Sequence, residues 1–457
     1  MGLNIEKINS FVWGIPALLL ILGVGLFLSI RTGFAQLILF PKALYTFSWR
    51  FRSKSKDAQG TSPYQALCTA LAATVGTGNL AGVAGAIAIG GPGSIFWMWV
   101  CAFFGMVTKF AEATLAVRYS NIDINGERVG GPMHMIEKGL GYRWRWLASL
   151  YSFFGVVAAF GVGNATQINT LIGGLNDVIA VFGGYETTSV NLIMGIILAA
   201  LIAQMLLGGA KRIGQIAERL VPLASVVYLL LGFGVLLHQA SLIPKAFASI
   251  IQGAFSPQAV TGGALGSAFT ALRIGASRGV FTNEAGMGTA AIAHAGANVS
   301  HPAEQGLMGI IEVFIDTILI CTMTALVILC SNVPIPFGLD EGIVLTNRAF
   351  SAVYGSWCII PIAIALCCFA FATVLGWGLY GARCAQYLFG EKAWKPFVFL
   401  QVLIVVVGAV LKTGTVWVLS EIVNGLMAIP NLIALAFLSP ELSRLTTDFK
   451  NRTKELS

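Results

Sequence analysis

The strongest constraint in this sequence is a succession of apolar stretches, each able to cross about 30 Å of hydrocarbon, a span that takes roughly 20 helical residues. They run over residues 11–30, 64–90, 94–119, 146–172, 190–208, 213–237, 263–296, 303–331, 357–389, 396–411 and 414–438. The chain therefore reads as an all-α polytopic membrane protein with about eleven transmembrane helices. Composition agrees: 56% of residues are hydrophobic and only 11% charged, against about 25% in a soluble domain. Glycine, at 53 residues, suits helices that pack closely in lipid. The first stretch ends in "SIRTGF" rather than a small-residue cleavage site, so it reads as a span and not a signal peptide. The segment "FAQLILFPKALYTFSWRFRSKSK" after it is too polar to span and is expected along the membrane surface.

The net charge of +8 is a matter of topology. Lys42, Arg50, Arg52, Lys54, Lys56, Arg118, Arg128, Lys138, Arg143, Arg145, Lys211, Arg212, Arg383, Lys392, Lys395, Arg444, Lys450, Arg452 and Lys454 all fall on one side of the span map. The opposite loops hold only Lys7, Lys245, Arg348 and Lys412 among the basic residues. By the positive-inside rule the amino terminus is outside and the carboxyl terminus cytoplasmic, in a cell inner (plasma) membrane. No basic and aromatic module outside the apolar segments points to nucleic acid. The eight cysteines read as small apolar fillers, since they lie mostly in or beside apolar runs without ligand spacing. His134, His238, His294 and His301 are scattered, none at metal-ligand spacing, and no catalytic constellation appears, so an enzyme is not expected.

Two spans are interrupted at mid-depth. "TVGTGNLAG", Thr74 to Gly82, places glycines beside Thr77 and Asn79; "RIGASRGVFTNEAGMG" places Gly275, Ser277, Arg278 and Gly279 at a similar depth of the seventh segment. Each opens a set of about five spans, and an odd first set starts the second from the opposite side, which implies an inverted repeat. Paired glycine breaks in two halves point to a transporter's central site. There the resumed helix offers N–H groups to an anion and the preceding half offers carbonyls to a cation. Helix packing through the G-x-x-x-G of Gly78 and Gly82 is an alternative, with Gly82 the residue best explained by packing. A nucleotide loop is disfavoured, because no strand precedes it.

The blocks "GTGNLAGVAGAIAIGGPGSIFWMWVCAFFGMVTKFAEATLAVRY", "GGPMHMIEKGLG" and "RIGASRGVFTNEAGMGTAAIAHA" resemble the signature of the alanine or glycine:cation (sodium:alanine) symporter family over about residues 60–440. That resemblance implies a leucine-transporter-like fold: ten core helices in a 5+5 inverted repeat, with core helices one and six discontinuous. Residues 1–63 would form an extra helix and the interfacial segment, 64–237 the first repeat, 238–440 the second, and 441–457 a cytoplasmic tail. It implies that Thr77, Gly78 and Asn79 on core helix one meet a substrate carboxylate. Gly275, Ala276, Ser277 and Gly279 would be the unwound part of core helix six, and Gln167 and Trp377 would close the pocket. Sodium, the coupling ion and the one cofactor-like partner, would meet the carbonyls of Ala72, Val75 and Ala370 and the Thr373 hydroxyl. Gln167, Thr373 and Trp377 also have plain packing or hydrogen-bonding alternatives.

Ionisable residues inside the membrane are costly and are functional candidates. Lys109 and Glu112 are spaced to pair on core helix two, Arg273, Arg278 and Glu284 cluster on core helix six, and Glu312 and Asp316 share a face of core helix seven. Arg278 and Glu284 are expected in a gating network; static ion pairs are the alternative for Lys109 and Glu112. The functional expectation is sodium-coupled symport of small neutral amino acids, alanine or glycine, by a monomeric unit working by alternating access. Proton coupling, or a sensor or channel that does not transport, are the alternatives.

Overall fold

The computed structural model describes residues 2–52, 61–124, 126–256, 267–339, 342–411 and 414–455. A helix occupies each of the eleven expected stretches. They are α2 (Ile15–Arg31), α4 and α5 (Pro63–Thr74 and Val83–Gly90), α6 (Gly93–Arg118), α7 and α8 (Arg145–Phe160 and Thr166–Val181), α9 (Thr188–Leu206), α10 (Gly209–His238), α12 and α13 (Ala268–Asn283 and Thr289–His294), α14 and α15 (Pro302–Val313 and Thr322–Cys330), α17 (Ile359–Phe389), α18 (Trp394–Val410) and α19 (Gly414–Phe437). Around them lie α1 (Gly2–Val12), α3 (Phe40–Arg52), α11 (Ile243–Phe255), α16 (Ile343–Tyr354) and α20 (Ser439–Glu455). Among the described residues seven helical stretches are long and apolar enough to span alone, and α4 with the segment Gly78–Gly90 makes a further span bent by 54°. The surface segment forms α3, with Tyr45 and Trp49 exposed and Phe40 edge-on to Phe314.

Local chemistry explains the ends of these helices. Ser62 caps α4 by accepting the Gln65 N–H at 3.0 Å, and Pro63 takes the first helical position, where no N–H is needed. The reversal "GGPG" turns on Gly91, whose φ of +78° suits glycine. Gly93 lets α6 approach α11 closely, since a Cβ there would lie 2.0 Å from the Gly253 carbonyl carbon.

The helices sort into two groups. In one, α6 packs on α12, α14, α2 and α13; in the other, α17 packs on α7, α8 and α10, and α9 on α18. The chain segment α4–α5 runs between them, touching α10 and α17 on one side and α12 on the other. A short antiparallel hairpin of β1 (Asn121–Ile122) and β2 (Arg128–Val129) marks one end of the bundle, called the hairpin end below.

Three wide π-helical turns, Gly78–Gly82, Gly161–Ala165 and Phe314–Cys321, interrupt the helices that meet at mid-depth. Such turns displace the register of a helix and expose backbone, and they gather at functional sites.

One expectation is corrected here. The helix α12 runs unbroken through Gly275, Ala276, Ser277 and Gly279, and the chain unwinds after it, at residues 284–288. Gly275 and Gly279 are there for close packing: a Cβ at Gly275 would lie 2.2 Å from the Ser94 carbonyl oxygen, and one at Gly279 3.1 Å from the Cys101 Cβ. Gly82, read as a packing residue, has nothing within 4 Å of a Cβ.

Candidate functional site

The first break begins where Val75 leaves α4 with an extended ψ of 106°. The freed Gly76 N–H is taken at 2.8 Å by Asn79 Oδ1, so a side chain stands in for the missing helical carbonyl. The Asn79 amide donates to Asp316 Oδ1 at 2.7 Å and to the Asp316 carbonyl at 3.1 Å. Thus Asn79 holds the break against the π turn Phe314–Cys321, and it is absent from the lining of the central cavity. Thr77 and Gly78 start the resumed helix, where N–H groups have no intrahelical acceptor.

The second break is built around Glu284, which adopts a left-handed conformation (φ +53°), unusual for a residue with a side chain. Gly286 (φ +93°) and Gly288 (φ +78°) follow. Both of their N–H groups donate to Glu112 Oε1 at 3.0 Å, and Asn431 donates to the same oxygen at 2.7 Å and to the Gly286 carbonyl at 2.8 Å. One carboxylate on α6 and one amide on α19 therefore replace the helical bonds lost at the break.

Between the breaks lies a cavity of about 20 Å³, lined by Thr77, Gly78, Gln167, Glu284, Thr373 and Trp377 among others. Gln167 donates weakly to the Thr77 hydroxyl at 3.4 Å and to the Val162 carbonyl at 3.2 Å, while its Oε1 is buried without a hydrogen bond. Trp377 sits on the π turn of α7–α8: a Cβ on Gly163 would lie 2.3 Å from its own Cβ. Its indole N–H donates to Glu284 Oε1 at 3.0 Å. Beside this cavity Thr373 Oγ1 lies 3.0 Å from both the Ala72 and the Phe369 carbonyls, so the hydroxyl reaches across from α17 to the end of α4. Ala72, Val75 and Ala370 are all fully buried at the same junction.

The structure brings together Thr77, Gly78, Gln167 and Trp377 around the cavity and Ala72 with Thr373 beside it. It does not bring in Gly275, Ala276 or Gly279, and Ser277 lines a different cavity of about 130 Å³ with Asn9, Trp13, Arg273, Arg278 and Glu421. Sequence reasoning missed Glu284 and Phe281 as lining residues. The signal was present in "NEAGMG", whose two glycines flank a turn, but the earlier glycines at 275 and 279 drew the assignment.

The buried charges also pair differently from their spacing. Lys109 meets Glu312 of α14 at 2.7 Å, not Glu112, with both side chains fully buried. Glu312 also contacts His294 at 3.0 Å, whose other nitrogen meets Gln305, which donates in turn to the Pro63 carbonyl at 3.3 Å. This chain of contacts joins α6, α14 and α13 to the start of α4. Asp316 does not join Glu312; Thr317 donates to its second oxygen at 2.8 Å. Arg278 meets Glu421 at 3.2 Å rather than Glu284, and Asn9 and Trp13 of the first segment hold the same glutamate. At the hairpin end a vestibule of about 590 Å³ opens between α4, α10, α13 and α17, lined by Thr69, Lys211, Ile292, Ala293, Leu379 and Arg383 among others.

A family model described as the sodium:alanine symporter family matches residues 2–457. The chain belongs to the sodium:alanine symporter family. It is 43% identical over 439 residues to the sodium/alanine symporter AgcS of Methanococcus maripaludis, covering 95% of this chain and 94% of that protein. It is 38% identical to the probable sodium/glutamine symporter GlnT of Bacillus subtilis, over 98% of this chain and 90% of that protein. Among solved structures it resembles MhsT in complex with L-phenylalanine, with a TM-score of 0.56 at 14% identity over 86% of this chain and 99% of that one. That likeness shows the leucine-transporter fold. A member of this family is a multi-pass membrane transporter and not an enzyme, and sodium-coupled amino acid symport is the activity of the class.

Proposed function

We propose that this symporter carries a small neutral amino acid, alanine or glycine, into the cell together with sodium by alternating access. The observation that carries the reading is the junction of the two breaks. Thr77 and Gly78, at the start of the resumed helix, line the same small cavity as Gln167 and Trp377, and the Thr373 hydroxyl lies against the Ala72 carbonyl beside it. The substrate carboxylate sits at the start of the resumed helix, where the helix dipole favours an anion. Sodium lies between the carbonyls of Ala72, Val75 and Ala370 and the Thr373 hydroxyl, and it joins α4 to α17. Each ligand then favours the geometry the other needs, which is the linkage a symporter requires.

Alternating access draws support from the asymmetry of the two ends. The hairpin end holds the wide vestibule, while Arg278, Glu421, Asn9 and Trp13 tie the opposite end together. With the basic hairpin end cytoplasmic, the amino terminus is outside, and this arrangement leans toward the inside of a plasma membrane.

Proton coupling is the second reading. Asp316 favours it: its carboxylate is fully buried, is held by Asn79 and Thr317, and forms no ion pair with a basic residue among the described residues. Proteoliposomes loaded with an inward sodium gradient at equal pH should accumulate labelled alanine. Accumulation with a proton gradient alone, and none with sodium, would replace the first reading by the second.

A further inference from the structure

Glu284 is the feature of the cavity that neither the breaks nor the cation junction explains. Its carboxylate is 3% exposed, lines the central cavity, and forms no ion pair with Lys, Arg or His among the described residues. The nearest buried ammonium, that of Lys109, is committed to Glu312. Two neutral donors orient Glu284: Trp377 on Oε1 at 3.0 Å and Thr289 on Oε2 at 2.6 Å. Each carboxylate oxygen accepts two hydrogen bonds, so one acceptor site on each oxygen remains. Across the same cavity the Gln167 Oε1 is a second buried acceptor with no partner. A left-handed residue whose ionised carboxylate is aimed at a cavity by two hydrogen bonds is costly unless a proton or a cation neutralises it there.

Resting on the symport reading above, we infer that Glu284, with Gln167 opposite, is the receptor for the substrate's ammonium group and so the residue that restricts the carrier to amino acids. The ammonium donates to the Glu284 carboxylate and to Gln167 Oε1, while the substrate carboxylate lies at the Thr77 and Gly78 N–H groups. Charge then explains the coupling. The ammonium neutralises Glu284, the substrate's own carboxylate leaves one negative charge at mid-membrane, and the sodium ion beside Thr373 cancels it. The amino acid alone leaves the site with one negative charge in a medium where charge is expensive, whereas sodium alone balances Glu284, so the amino acid is held best once sodium is present.

The test uses the full-length protein in proteoliposomes, with L-alanine and L-lactate as probes, since lactate replaces the ammonium by a hydroxyl and keeps the carboxylate and methyl. For Glu284→Gln, alanine kcat/KM should fall about 10- to 100-fold, the range for losing one charged hydrogen-bond partner, while lactate uptake is not reduced. The alanine-to-lactate preference therefore collapses. Glu284→Asp, which keeps the charge, should recover part of it. If the glutamine variant loses both substrates equally, or keeps the wild-type KM for alanine, the assignment is overturned, because a purely structural role predicts one of those results. A second measurement needs no variant. Modification of wild-type Glu284 by a hydrophobic carbodiimide at constant sodium, located by peptide mass spectrometry, should be blocked by alanine and not by lactate or propionate. Labelling that saturating alanine leaves unchanged overturns the proposal. Failure of wild-type vesicles to show sodium-driven uptake would sink the symport reading instead, and the protection result would still decide the ammonium site.

Discussion

Replacing Thr373 by valine tests the cation junction with almost no change of shape. The hydroxyl has one proton and two carbonyls at 3.0 Å, those of Ala72 and Phe369, so it satisfies one at a time and leaves lone pairs for a cation. Valine keeps the branched shape against α4 and leaves the backbone of α17 intact. The loss is one oxygen among the four proposed sodium ligands, and a hydrogen-bond-like contact to a charged group contributes about 1.5–3 kcal/mol. That corresponds to a sodium half-saturation raised roughly 10- to 100-fold. The loss of the interhelical bond itself adds about 1 kcal/mol of destabilisation, small enough for the protein to fold. The assay is labelled alanine uptake into proteoliposomes over a series of sodium concentrations. At saturating sodium the alanine KM should return close to wild type, and Thr373→Ser should behave nearly as the parent. Wild-type sodium dependence in the valine variant would refute the placement of sodium between α4 and α17.

Three further outcomes follow from particular contacts. Glu312→Gln leaves the Lys109 ammonium buried without its partner and should cost about 3–5 kcal/mol in thermal unfolding followed by tryptophan fluorescence, with Lys109→Met in the same chain restoring most of it. Gly163→Ala, which forces a methyl to within 2.3 Å of the Trp377 Cβ, should cost about 1–3 kcal/mol and depress alanine uptake, whereas Gly82→Ala, in open space at ordinary helical φ and ψ, should leave both within the scatter of repeat assays. Burial pushes the His134 imidazole, which lies outside the spans, down to about 4. An imidazole kept neutral in the folded protein gains its proton on unfolding below the ordinary value near 6.5, so stability is full above that pH and falls as pH drops toward 4. The loss should be about 2 kcal/mol at pH 5, and His134→Gln should flatten it in melting curves taken from pH 7 to 4.5.

Much of the site was legible because membrane helices carry strong local signals. The first break lies within "TVGTGNLAG", where Val75 leaves the helix and the span bends by 54°, although Gly76 and Gly78 also pack closely, a Cβ on each lying 2.9 Å from Thr373 Oγ1 and Thr282 Cγ2. The second lies nine residues, about two and a half helical turns, beyond the glycines at 275–279. Glycine serves both conformational freedom and close approach, and nothing in "IGASRG" distinguishes them; the Ser94 carbonyl 2.2 Å from a Gly275 Cβ does. The ionisable residues show the same limit. Spacing placed Lys109 beside Glu112, but i, i+3 neighbours on a helix gain only a few tenths of a kcal/mol, and partners on other helices outcompete them in a dry interior. Asn79 was assigned to substrate because it is polar at the break, yet its amide is spent on Asp316, a contact between residues 237 positions apart.

The sequence alone determined the class of protein, the placement of its helices and the existence of a broken first core helix. These follow from local transfer energies and backbone conformational preferences, which act within some twenty residues. Only the tertiary structure decided which polar groups meet. It took Glu112 of α6 and Asn431 of α19 to show that the second break lies at 284–288, and Trp377 of α17 to show that Glu284 faces the cavity. A buried hydrogen bond is set by helices that arrive from distant parts of the chain, and its partner is therefore not written in the residue's own neighbourhood.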